Sequence, residues 1–223
     1  MTPHFTLSGL TLETIDCPEY HNDKTSLWYH CGIIFHFYKN MQNLSIKEAY
    51  SEQLDTILQV EQAAFASDVT ISTLVSELLT DPTAQPTLSL LAFQEKQAIG
   101  HILFSKAQLD SAPSVPAAIL APLAVLPSFQ NQGIGRQLVQ TGLQMLTDSK
   151  VALVFVLGYP VYYARFGFQT ASLLGFTASY PILDKNIDAW MVKDLNSNII
   201  GKVSGKVLCA NALDKPEYWI EQA

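Results

Sequence analysis

A chain of 223 residues that is 48% hydrophobic and only 15% charged has enough apolar matter for a sizeable core and too much for disorder. Thirteen basic residues against twenty acidic ones give a net charge of −7. That excludes the cationic footprint of a nucleic-acid binder, and an anionic membrane surface would repel the chain. Three cysteines make no disulfide framework, and no apolar run reaches the roughly 18–20 residues of a membrane span. A soluble, cytoplasmic protein without a cleaved leader is expected.

The composition changes near residue 40. Four of the five histidines (His4, His21, His30, His36) and two cysteines (Cys17, Cys31) precede that point, among turn-prone residues such as Pro3, Gly9, Pro18 and Gly32. Cys17, His21, His30 and Cys31 follow no common zinc-ligand spacing, so no metal is expected. Residues 1–40 read as an extension and residues 41–223 as the domain. A second reading is that translation begins at Met41; eleven basic and sixteen acidic residues would remain, so the domain stays acidic.

From Met41 the elements follow in order. Leu44 to Lys47 alternates as a strand, and Glu52 to Phe65 carries a helical stripe in which Val60 or Glu61 occupies one turn. A second helix spans Ile71 to Leu79, stopped by Asp81-Pro82. Leu88–Phe93 and Ala98–Ser105 form a hairpin across Glu95-Lys96-Gln97. The apolar run Ala118–Leu126 is a strand, Gly133–Thr147 a helix, and Val151–Leu157 a strand buried on both faces. A short helix at Pro160–Arg165 leads to a strand from Phe168, and Trp190–Leu195 makes a further strand. The order predicts a mixed α/β domain.

The most informative stretch runs from Leu123-Ala124-Val125 through Pro127 to Gln130-Asn131-Gln132-Gly133-Ile134-Gly135-Arg136. An apolar strand enters a polar loop, and two glycines follow at the first turn of a helix. Positions without side chains let an anion approach exposed backbone N–H groups where the helix dipole favours negative charge. Two glycines there cost about 1 kcal/mol each relative to alanine, which a purely structural cap would have no reason to carry. A dinucleotide fingerprint fails because Leu138 stands where a third glycine or alanine is needed. A P-loop fails because Gly201-Lys202 and Gly205-Lys206 are both followed by valine.

These residues resemble the GNAT superfamily of N-acetyltransferases, whose Gln/Arg-x-x-Gly-x-Gly/Ala signature is matched by Gln130 to Gly135. Tyr162-Tyr163-Ala164-Arg165-Phe166-Gly167-Phe168 resembles the family's aromatic-Tyr-x-Lys/Arg-x-Gly-Phe segment. Gly100 to Ser105, Gly158 and the tail Gly201 to Leu213 are similar to a branch of predicted N-acetyltransferases with poorly defined acceptors. The resemblance spans residues 41–213. It implies a mixed, mostly antiparallel sheet with a splayed pair of central strands flanked by helices. Pro122 fits, since a proline inside a buried strand is tolerated at a bulge. Val156 and Tyr159 depart from the family, standing where relatives often carry Asn and Asp, on the acceptor side.

The resemblance implies transfer of an acetyl group from acetyl-CoA to a primary amine by direct attack in a ternary complex. Leu123, Ala124 and Val125 would pair with pantetheine, backbone N–H groups near Ala124 and Val125 would polarise the thioester carbonyl, and Gln130 to Arg136 would cradle the pyrophosphate. Tyr163 would protonate the departing sulfur, and Tyr162 or Phe166 would fill an anchoring role equally well. Arg136 and Arg165 are the only arginines, one in each motif. No general base is identifiable. Glu61, Asp68 and Glu77 read as solvated acids on or between the first two helices, His101 as a structural histidine, and Cys209 as a small apolar residue. The expected partner is a small-molecule or peptide amine, weakly favoured to be cationic, and a homodimer is left open. The competing expectation is a catalytically silent acyl-CoA sensor or an interaction module.

Overall fold

In the computed structural model, which describes residues 44–65, 69–195 and 197–219, alternation produces β1 (Leu44–Glu48) and the first stripe produces α1 (Leu54–Phe65). The second helix, α2 (Val69–Thr80), ends where Asp81 accepts a hydrogen bond from the Thr83 N–H at 2.8 Å and Pro82 denies the helix its next donor. The hairpin is β2 (Leu88–Gln94) and β3 (Gln97–Leu109), four residues longer at its end than alternation suggested. Then come β4 (Ala117–Val125), α3 (Ile134–Asp148), β5 (Leu153–Leu157), α4 (Pro160–Tyr163), β6 (Gln169–Thr170), β7 (Phe176–Thr177), β8 (Trp190–Asp194) and β9 (Gly205–Leu208). The extension with its histidines and Cys17 and Cys31, and also Asp68, lie outside the described residues.

The sheet runs β1-β2-β3-β4-β5-β8-β6, with β9 pairing β3 and β7 pairing β9. The β4–β5 and β7–β9 pairs are parallel and the others antiparallel. Helices α1 and α2 cover one face, where Ile57, Val60, Leu74 and Leu78 pack with Leu91, Leu103, Phe155 and Trp190. Helix α3 covers the other, its Leu138, Val139 and Leu143 meeting Leu90, Ile102, Phe104 and Val154. Full burial of each such side chain contributes about 1.5–3 kcal/mol. Gly142 lets α3 lie directly on Phe104, whose ring occupies the place a Cβ would take. No described helix is long and apolar enough to cross a membrane.

The feature that positions a site is the end of β4. Its pairing with β5 runs from Ala117↔Leu153 to Leu120↔Val156 and stops. On its other edge the register with β3 jumps, Ile102 facing Leu123 and Phe104 facing Leu120, so Ala121 and Pro122 bulge opposite the single residue Leu103. Beyond the bulge, β4 continues to Val125 beside β3 alone, while β5 turns away into Gly158 and α4. The proline sits at a bulge, as expected, and the two central strands part there.

Candidate active site

Past the bulge, the Leu126 N–H donates to the Ile99 carbonyl at 2.9 Å. Antiparallel alternation then turns the N–H and C=O of Ala124 inward to His101, and those of Leu123 and Val125 outward to the free edge. Ala124, expected among the groups facing the thioester, therefore offers its backbone to β3, and its side chain is buried. The Val125 carbonyl accepts from Gln130 Nε2 at 3.1 Å, and Gln132 Nε2 donates to the Ser128 carbonyl at 3.0 Å, so two loop side chains brace the loop itself. Asn131 at φ 60 and Gly133 at φ 83 complete the turn in left-handed backbone. The first bond within α3 joins the Gln137 N–H to the Gly133 carbonyl. The N–H groups of Ile134, Gly135 and Arg136 have no carbonyl behind them and form an open donor cluster. A Cβ at Gly133 would meet nothing within 4 Å, so that glycine serves its backbone angle. Arg136 is exposed beside the cluster.

The two tyrosines separate clearly. A Cβ at Gly135 would lie 2.8 Å from the Tyr162 hydroxyl, 3.6 Å from Val125 Cγ2 and 3.7 Å from Leu123 Cδ2. The Tyr162 hydroxyl therefore sits at the junction of the free strand edge and the donor cluster, and the Arg165 guanidinium lies 4.9 Å from its ring centre. The Tyr163 ring is 7% exposed, packs edge-on against Tyr162 and Phe168, and lies against Gly158, where a Cβ would be 2.5 Å from it. Burial pushes the Tyr163 phenol well above its ordinary value, with Tyr162 adding to the shift. Burial also raises Tyr162, and Arg165 opposes that. Both stay protonated across the working range of most enzymes.

On the opposite face, three residues from three elements meet in the core. Glu61 Oε1 of α1 lies 2.5 Å from His101 Nδ1 of β3, and His101 Nε2 lies 2.9 Å from Ser89 Oγ of β2. Glu61 and His101 are 0% exposed and Ser89 3%. Glu61 was expected as a solvated acid and is a buried one. Position 61 falls on the covered side of α1, and His101 supplies the partner that makes burial tolerable. Glu61 Oε2 has no hydrogen-bond partner. Burial raises the Glu61 pKa, and the hydrogen bond and charge of His101 oppose the rise. Glu77 is a surface acid as expected, paired with Lys215 at 2.6 Å. Cys209 sits 3.3 Å from Ser179 Oγ, its thiol pushed up to about 11 by burial. Among the described residues no cluster of three His, Cys, Asp or Glu could hold a metal.

Residues 86–170 match the family model of the acetyltransferase (GNAT) domain. "Uncharacterized N-acetyltransferase YjhQ" of Escherichia coli K12 is 40% identical over 157 residues, 70% of this chain and 86% of that protein. The crystal structure of the GNAT family N-acetyltransferase YhbS from Escherichia coli in complex with CoA superposes with a TM-score of 0.70 at 28% identity, covering 78% of this chain and 93% of the other. That of a GNAT family acetyltransferase from Brucella melitensis in complex with acetyl-CoA gives 0.62 at 27% identity, covering 77% and 98%. A parted β4–β5 pair, a glycine-rich turn opening α3 and relatives of this similarity lead to one conclusion: the chain belongs to the GNAT family of N-acetyltransferases.

Proposed function

We propose that the chain binds acetyl-CoA along the free edge of β4 and transfers its acetyl group to a primary amine. The observation that carries this is the continuity of that edge, from the outward backbone groups of Leu123 and Val125 to the open N–H cluster of Ile134, Gly135 and Arg136. Pantetheine amides pair with the edge. The pyrophosphate rests on the cluster, favoured by the dipole of α3 and by Arg136. Gln130, Asn131, Gln132 and Gly133 shape the turn that holds the cluster open. The neutral amine nitrogen attacks the thioester carbonyl carbon, and the outward Val125 N–H is the donor placed for the oxygen that gains charge. The tetrahedral adduct collapses by breaking the C–S bond. Tyr163 gives the sulfur a proton, the amine's surplus proton leaves to water, and a proton from water restores the Tyr163 phenol. A cytoplasmic location, where acetyl-CoA is available, accompanies this function.

Gly135→Val tests the site. The new side chain would strike the Tyr162 hydroxyl and crowd the edge beside Val125 and Leu123, so its effect falls on the ligand channel. CoA at about a hundredfold excess over Kd should raise the wild-type melting temperature by roughly 5–10 °C. The variant should lose that rise while melting cooperatively. Retention of the full CoA-dependent rise would remove this loop as the pyrophosphate site. Gly133→Ala is the control, since it costs only left-handed strain of about 1–2 kcal/mol and points into open space.

The domain assignment at residues 41–223 belongs to the same proposal, supported by the compact unit formed from Asn40 onward. A protein lacking residues 1–40 should unfold cooperatively and retain CoA-dependent stabilisation. Loss of cooperative unfolding would make the extension part of the core.

A further inference from the structure

A cavity of about 870 Å³ opens where β5 ends, lined by Leu157, Gly158, Tyr159 and residues from two later segments, 182–189 and 217–219, with Thr70 of α2. It is within the usual size of small-molecule sites. Gly158 links it to the reaction centre. The same glycine lines the cavity and abuts the ring of Tyr163, and its N–H donates to the Ala189 carbonyl at 2.9 Å. That bond fixes the segment carrying Asp188 beside the end of β5.

The lining combines two kinds of surface. Leu157, Ile182 and Trp219 supply apolar wall, and Tyr159 stands 84% exposed at the rim. Asp188 and Glu217 come from separate turns and are both exposed. Lys185 lines the same cavity, so among the described residues its ionised side chains carry one negative charge in excess. Neither arginine of the chain lines it, so among the described residues an acceptor bearing phosphate or several carboxylates meets one lysine and two repelling anions. A net charge of −7 adds a field that draws cations in.

We infer that this cavity holds the acceptor and that the acceptor is a di- or polyamine. One amine reaches past Gly158 toward Tyr163 as the neutral nucleophile. A second, still protonated, rests between Asp188 and Glu217, and the methylenes between them lie along Leu157, Ile182 and Trp219. Separation of the two charges keeps the reacting nitrogen away from carboxylates that would hold its proton. The inference rests on acetyl transfer being the reaction.

The experiment compares spermidine, 1,4-diaminobutane, butylamine and 4-aminobutyrate as acceptors, with release of CoA thiol as the readout. Spermidine and the diamine should exceed butylamine in kcat/KM by about tenfold, the worth of two exposed charge contacts, and 4-aminobutyrate should fall below it. The advantage should shrink as salt rises. Combining Asp188→Asn with Glu217→Gln should raise the KM for spermidine about tenfold, leaving kcat, the KM for acetyl-CoA and the KM for butylamine unchanged. Equal use of spermidine and butylamine, or a double variant with unchanged KM, would overturn the inference. Turnover confined to an amino sugar phosphate or an uncharged peptide N terminus would overturn it while leaving acetyl transfer standing. Stabilisation by acetyl-CoA without thiol release from any amine would reject acetyl transfer, and the inference with it.

Discussion

Tyr163→Phe is expected to lower kcat by about 10²–10⁴-fold and to leave the affinity for acetyl-CoA nearly unchanged. The substitution removes one hydroxyl and keeps the ring that fills the space against Gly158 and Phe168, so folding should be little affected. A phenol is a suitable donor to a thiolate whose conjugate acid ionises near 8.5, because it remains protonated until the sulfur leaves. Burial raises this phenol further, so the sign of the pH effect is definite. Activity that depends on protonated Tyr163 is fully present below pH 10 and is lost only above it, and any basic limb seen at lower pH belongs to another group. Tyr162→Phe is the discriminating control. Its hydroxyl lies at the free edge of β4 beside Gly135, the place where the CoA chain would pass, so its loss should weaken acetyl-CoA binding more than kcat. If Tyr162→Phe abolishes turnover and Tyr163→Phe is normal, the donor is Tyr162. If both variants turn over normally with a productive amine, neither tyrosine supplies the proton.

His101→Leu should cost about 3–5 kcal/mol of stability at neutral pH, because it strips Glu61 of its partner inside the core. Glu61 Oε2 already lacks a hydrogen bond, so the variant leaves both carboxylate oxygens unpaired. The penalty should depend on pH in one direction. Glu61 has a folded-state pKa above its unfolded value, so the folded protein holds that proton more tightly. Its unfavourable contribution is absent below the unfolded value near 4.3 and grows as pH rises through the folded pKa. Urea unfolding of His101→Leu should therefore approach the wild type at pH 4–5 and diverge from it above. Pairing Glu61→Leu with His101→Leu should recover most of the loss, because two apolar groups replace the pair. A constant deficit at all pH values, unrelieved in the double variant, would show that His101 matters through its shape and not through Glu61.

Much of this protein follows from short stretches of sequence. The alternation of β1, the stripes of α1 and α3, and the unbroken apolar run of β5 are local patterns, and burial preserves them with ends displaced by at most two residues. The donor cluster was legible for the same reason, since strand, loop and both glycines lie within fourteen consecutive residues. The bulge followed from the resemblance, and Pro122 fitted it because a proline cannot donate to a ladder. Strands β7 and β9 escaped notice. They have two and four residues, and β9 buries only Val207, too little for a period to register.

What tertiary structure alone decided lies between distant segments. Glu61 and His101 are forty residues apart, and in sequence a glutamate beside Val60 reads as well outside the helix as inside it. Only the seating of α1 over β3 and β4 puts that carboxyl against an imidazole and out of water. The direction of each backbone group past Pro122 depends on how β3 meets the bulge, and the separate places of Tyr162 and Tyr163 depend on how α4 folds back under Gly158. The cavity is built from four segments, the first at Thr70 and the last ending at Trp219, that the fold gathers at the end of one strand. Element order determined the mixed α/β class, and spacing determined the glycine turn that opens α3, because those are written along the chain. The buried pair, the facing of the donors and the cavity at the end of β5 exist only across it.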